Sequence, residues 1–81
     1  MEEEINRRKL SELKPGEIGV VDCFLNGGNQ AIPLEEMGLI PGTEVRYIRS
    51  APMGGPLEIE LRGYLLSVRK KEADTILVRM G

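Results

Sequence analysis

The clearest periodicity in the chain lies between residues 57 and 68. Leu57, Ile59 and Leu61 alternate with Glu58, Glu60 and Arg62, and Tyr64, Leu66 and Val68 carry the inward apolar phase onward. A period of two belongs to strands with one buried face, and Gly63 between the two runs predicts a hairpin. Arg62 disfavours the paired positive φ angles of a type I′ turn. The expected connection is therefore a type I turn with Gly63 at the positive-φ bulge position. Three further segments read as strands: "EIGVVDCFL" at 17–25, "TEVRYIRS" at 43–50 with Val45 and Tyr47 on one face, and "TILVRM" at 75–80. Gly19 inside the first of them marks a bulge or a sharp coil. "KKEAD", just before the last, suffices for one helical turn.

A different pattern separates the first two of these strands. "NGGN" at 26–29 is a turn or loop, since Asn and Gly tolerate positive φ. "IPLEEMG" then predicts a short helix, with Pro33 at its first position, Glu35 and Glu36 near the positive end of its dipole, and Leu34 and Met37 on one face. Gly38 is placed to end that helix in the left-handed conformation, with Leu39 packing back on Leu34 in a Schellman arrangement. Pro41 and Gly42 make a second turn. A phosphate cradle would set its glycines before a helix N-terminus, whereas these follow a C-terminus. They read as backbone punctuation.

Residues 1–9, "MEEEINRRK", are charge-dense and are expected to form a flexible, solvated lead-in to a domain spanning 10–81. The whole pattern suits a mainly β fold: a small SH3-like barrel of about five strands with one short helical insert.

Composition narrows the function. At 81 residues the chain has room for one small core and little volume for an enclosed active site. Its net charge of −2, with 11 basic and 13 acidic residues well mixed, offers no basic stripe for nucleic acid. No apolar run nears the roughly 20 residues that cross a bilayer, so a cytoplasmic address without membrane insertion is expected. Histidine is absent, which removes the commonest general base and most transition-metal sites. Cys23, the single cysteine, sits in an apolar run and reads as a small core hydrophobe. Glu58 and Glu60 share a strand face, but Arg partners across the sheet explain them better than a bound cation. No catalytic residue, metal site or cofactor is predicted, and the isolated chain is expected to be a monomer.

One feature is not absorbed by the fold. The loop "APMGGP" carries Ala51, Pro52, Met53 and Pro56, followed by Leu57, and sets apolar surface at a hairpin tip. Methionine adapts readily at contacts, so these five residues are the candidate partner-binding site.

The blocks "LSELKPGEIGVV", "LEEMGLIPGTEV" and "RSAPMGGPLEIELRGYLLSVRKKEADTILV" together resemble the FeoA family, small cytoplasmic components of bacterial ferrous-iron uptake. The resemblance spans residues 10 to about 78. It implies an SH3-like barrel and a non-enzymatic accessory role beside the membrane permease FeoB, which carries a cytosolic G-protein domain. It also implies likeness to the C-terminal part of diphtheria-toxin-repressor-like iron regulators, without their helix-turn-helix and metal-binding parts. The family often has basic residues just before its L-x-x-M-G-L segment, whereas this chain reads "GGNQAIPLEEMGL". A contact relying on positive charge there is not implied. The alternative reading is a nucleic-acid-associated SH3-like module, since "KPGEIGVV" is faintly similar to the first strand of ribosomal and transcription-factor barrels. The acidic balance and three aromatic residues argue against it.

Overall fold

The computed structural model describes residues 6–25 and 34–80. Strands β1 (Arg7–Lys9), β2 (Ile18–Phe24), β3 (Glu44–Ser50), β4 (Leu57–Leu61), β5 (Tyr64–Val68) and β6 (Ile76–Met80) form one antiparallel sheet in the order β1-β6-β2-β3-β4-β5. A single-turn helix α1 (Lys70–Ala73) precedes β6, and two 3₁₀ turns cover Leu10–Glu12 and Leu34–Met37. The inward faces gather one apolar cluster in which Leu10, Leu39, Val45, Ile59, Val68 and Ile76 have no measurable exposure. Each such side chain contributes about 1.5–3 kcal/mol relative to an exposed position.

The strands expected at 17–25, 43–50, 57–68 and 75–80 are present, and a sixth joins them. Residues 7–9, read as part of a flexible lead-in, instead pair with β6 in the register Arg7↔Arg79, Arg8↔Val78 and Lys9↔Leu77. Charge density suggested fraying, but two ion pairs offset it. Arg7 Nε lies 2.8 Å from Asp22 Oδ2, and Arg8 Nη1 lies 3.3 Å from Glu17 Oε1. The acidic partners sit a dozen residues or so away in sequence, where local composition gives no hint of them.

Asp22 also explains a second departure. The β2–β6 ladder shifts register between Val21 and Cys23, so Asp22 is the extra residue of a bulge. Strict alternation from Gly19 and Val21 would turn Cys23 inward. The bulge reverses the phase, Phe24 packs against the core, and Cys23 is exposed. Gly19 is not the bulge itself. It marks a close approach, because an added Cβ would meet Val78 and Met80 side chains at 3.2 Å.

The Schellman arrangement forms as expected, although on a 3₁₀ turn rather than an α-helix. Gly38 takes φ +97°, its N–H donates to the Glu35 carbonyl at 3.0 Å, and Leu39 N–H donates to the Leu34 carbonyl at 3.2 Å. Leu34 and Leu39 are both buried. Pro33 and the loop expected at 26–29 lie outside the described residues. The β4–β5 hairpin departs from expectation in its turn. Leu61 pairs directly with Tyr64, and both Arg62 (φ 51°) and Gly63 (φ 84°) lie in the left-handed region, which makes a type I′ turn. The twist of a two-residue hairpin outweighs the strain at Arg62. Tyr64 shares the inward face with Leu66 and Val68 but lies at the rim, half exposed, where its hydroxyl donates to the Met37 carbonyl at 3.2 Å.

Candidate docking surface

The candidate loop extends the β3–β4 hairpin beyond its last ladder pair, Ser50↔Leu57. Ala51 N–H donates to the Pro56 carbonyl at 2.9 Å, which carries the hairpin one step further. Gly55 N–H donates to the Pro52 carbonyl at 3.2 Å and closes a tight turn over Met53 and Gly54. Both central residues have positive φ, 60° and 74°, so this is a second type I′ turn. Gly55 is required by space rather than by φ, since a Cβ there would lie 2.7 Å from Ala51 Cβ. The loop is thus a cross-braced arm whose two prolines limit its freedom further.

This arm holds Met53 at its tip with 98% of its surface exposed, more than twice the exposure of Ile18, Ile40 or Tyr64. Ala51, Pro52 and Pro56 are also exposed beside it, so the structure brings four of the five expected residues onto one surface. Leu57 is different. It is 3% exposed and roots the arm in the core.

One flank of the arm is a shallow cleft that sequence reasoning missed. Gly54, Gly55 and Pro56 face Arg69, Lys70 and Lys71 at the start of α1. These cations lie some fifteen residues downstream, and only the return of β5 brings them back alongside the loop. Lys70 Nζ is 3.5 Å from Asp74 Oδ2. The Ser11 hydroxyl donates to Asp74, and that bond, with Lys70 beside it, holds the carboxyl below the ordinary range. On the other flank, Arg49 Nε and Glu58 Oε1 are 2.7 Å apart, and Arg46 and Glu60 lie opposite each other at 3.6 Å. Both strand-face carboxylates therefore have cross-strand cation partners, as their alternation suggested. Among the described residues no three or more His, Cys, Asp or Glu side chains gather where they could hold a metal ion. Among the same residues no helix is long and apolar enough to cross a membrane.

Residues 8–80 match the FeoA domain family. A crystal structure of an iron uptake regulatory protein, FeoA, is 36% identical, with 91% of this chain and 97% of that chain covered and a TM-score of 0.79. A Stenotrophomonas maltophilia FeoA complexed with zinc is 33% identical over 85% of this chain and 86% of that chain, with a TM-score of 0.70. It is described as a prokaryotic SH3 domain protein and put forward as a ferrous iron transport activating factor. The T. acidophilum IdeR structure is 16% identical, covers 100% of this chain with 37% of its own length, and has a TM-score of 0.81. That likeness is one of fold. The mainly β architecture is SH3-like, and the chain belongs to the FeoA domain family, which is associated with ferrous-iron transport.

Proposed function

We propose that the protein is a non-enzymatic accessory of ferrous-iron uptake that docks on the cytosolic part of a FeoB-type permease. The contact is made by Ala51, Pro52, Met53 and Pro56, with Leu57 anchoring them from below. Met53 carries the reading. A bulky side chain in the left-handed region costs about 1–2 kcal/mol, and this one gains nothing from packing in the isolated chain, being 98% exposed. Asn or Gly would make the same turn without strain. A residue that is both strained and unburied is accounted for by a contact outside the fold. Family membership supports the transport setting. The strand-face carboxylates are held in arginine ion pairs, and the exposed Cys23 thiol faces Asp22, itself paired with Arg7.

Binding of the full chain to the permease's soluble cytosolic domain, followed by calorimetry, tests this. The variant Met53→Glu is expected to weaken binding about tenfold or more, corresponding to loss of an apolar anchor, with an unchanged melting temperature. Undiminished affinity in Met53→Glu would reject the hairpin tip as the contact.

A further inference from the structure

The two edges of the sheet are built differently. β1 is three residues long and entirely cationic, Arg7, Arg8 and Lys9, which is how natural sheets protect an edge from pairing with other chains. β5, the opposite edge, has none of those devices. Its sequence Tyr64-Leu65-Leu66-Ser67-Val68 contains no charge and no proline, and its ladder with β4 runs without a register shift. Leu65 is 59% exposed, second only to Met53 among the large apolar side chains of the described residues.

The type I′ turn fixes which backbone groups of β5 are unused. Leu61 and Tyr64 close a two-residue hairpin and form a hydrogen-bonded pair, so Tyr64, Leu66 and Val68 direct their N–H and C=O groups at β4. Leu65 and Ser67 direct theirs away from the sheet. Among the described residues neither makes another backbone hydrogen bond. Two donors and two acceptors thus lie in strand register along an apolar edge.

The charges at the ends of this edge indicate what fits it. Arg62 precedes β5, and Arg69, Lys70 and Lys71 follow it. Of these four, only Lys70 has an ion-pair partner among the described residues. A second copy paired antiparallel about Leu66 would set Arg62 against Lys70 of its mate, like charge against like, which disfavours self-pairing.

We infer that the β5 edge accepts an extended segment of a partner protein, apolar at its centre and acidic at its ends, as an added antiparallel strand. Main-chain bonds to Leu65 and Ser67 hold the segment, its apolar residues lie beside Leu65, and its carboxylates meet Arg62 at one end and Arg69 or Lys71 at the other. This edge shares its Arg69–Lys71 end with the flank of the 51–56 arm but does not include Met53, and it does not depend on which protein supplies the strand.

The test uses the full chain, ¹⁵N-labelled, titrated with the synthetic peptide Asp-Glu-Val-Thr-Val-Thr-Glu-Asp and with a counterpart bearing Lys and Arg at both ends. The acidic peptide should shift the Leu65 and Ser67 amides and slow their hydrogen exchange at millimolar concentration. The Leu66 amide, already bonded to β4, should change little in exchange. The basic peptide should bind about tenfold or more weakly, the factor that two or more terminal charge pairs would give. Leu65→Asp, on an exposed side chain, should abolish the response, and Leu65→Pro, which removes the outward N–H, should do the same if it folds. Met53→Glu should leave it intact. Unperturbed Leu65 and Ser67 amides with the wild-type chain, equal binding of both peptides, or full binding by Leu65→Asp would overturn the inference. So would concentration-dependent shifts of these amides without peptide, which would assign the edge to a second copy.

Discussion

Met53 and Arg62 both hold positive φ angles that bulky residues avoid, 60° and 51°, and each precedes a glycine that completes a type I′ turn. Both side chains are exposed, Met53 almost completely. Arg62→Asn should therefore raise stability by about 0.5–1 kcal/mol, since Asn tolerates this region at lower cost. Met53→Asn should raise it by a similar amount while weakening docking. Urea denaturation of both variants, beside the binding measurement on the second, checks the pair. A Met53→Asn chain that is no more stable would mean the tip is unstrained, and the argument for a contact there would lose its premise. The sequence-based expectation of a type I turn at Arg62 failed because the preference of a single residue was set against the twist of a whole hairpin, and the hairpin decided. Cys23 was misplaced for a related reason, since a one-residue bulge at Asp22 inverts every later position of its strand.

At the level of elements, the Leu34–Met37 turn and its glycine were legible because a Schellman end has a local signature, an apolar pair bracketing a glycine. Gly38 has a second duty that the sequence does not display. A Cβ there would lie 2.8 Å from Tyr64 Oη, so the residue also admits the hydroxyl that bonds Met37. Gly38→Ala should cost about 2 kcal/mol or more by combining left-handed strain with that clash. Adding Tyr64→Phe should recover only the part due to the clash. A loss below about 0.5 kcal/mol in the single variant would show that the turn can relax. The junction between the first 3₁₀ turn and α1 makes a prediction about pH. Asp74 is held below its ordinary range first by the Ser11 hydroxyl and then by Lys70. A carboxyl whose folded value is depressed adds stability at pH above its unfolded value, near 4, and loses it as pH falls through the folded value. Ser11→Ala should lower stability at neutral pH by about 0.5–1 kcal/mol, a modest effect because the pair is partly solvated. The difference between variant and wild type should shrink as the pH is taken below 4. Denaturation midpoints at neutral and acid pH decide this, and a gap that stays constant would rule out the carboxylate as the cause.

Across the whole molecule, what could be read from sequence was whatever has a short-range cause. Period-two alternation located β4 and β5, apolar β-branched runs located β2, β3 and β6, and the loop at 51–56 stood out by its prolines and methionine. Long-range partnerships were not legible. Asp22 and Glu17 stabilise an N-terminal strand that composition alone assigns to a tail, and the β5 return brings Arg69–Lys71 beside a glycine-rich loop more than a dozen residues earlier. The candidate site was therefore found as a list of apolar residues, without its cationic flank and with Leu57 counted as surface. The result is a small SH3-like scaffold with one braced, strained and unburied tip, on which the proposed docking rests. Mapping backbone amide shifts of the labelled full chain during titration with the permease's cytosolic domain tests that claim most directly. The account predicts the largest changes at Ala51, Met53, Gly54 and Gly55, fading along β3 and β4. A bound complex whose shifts leave those amides unmoved would contradict it.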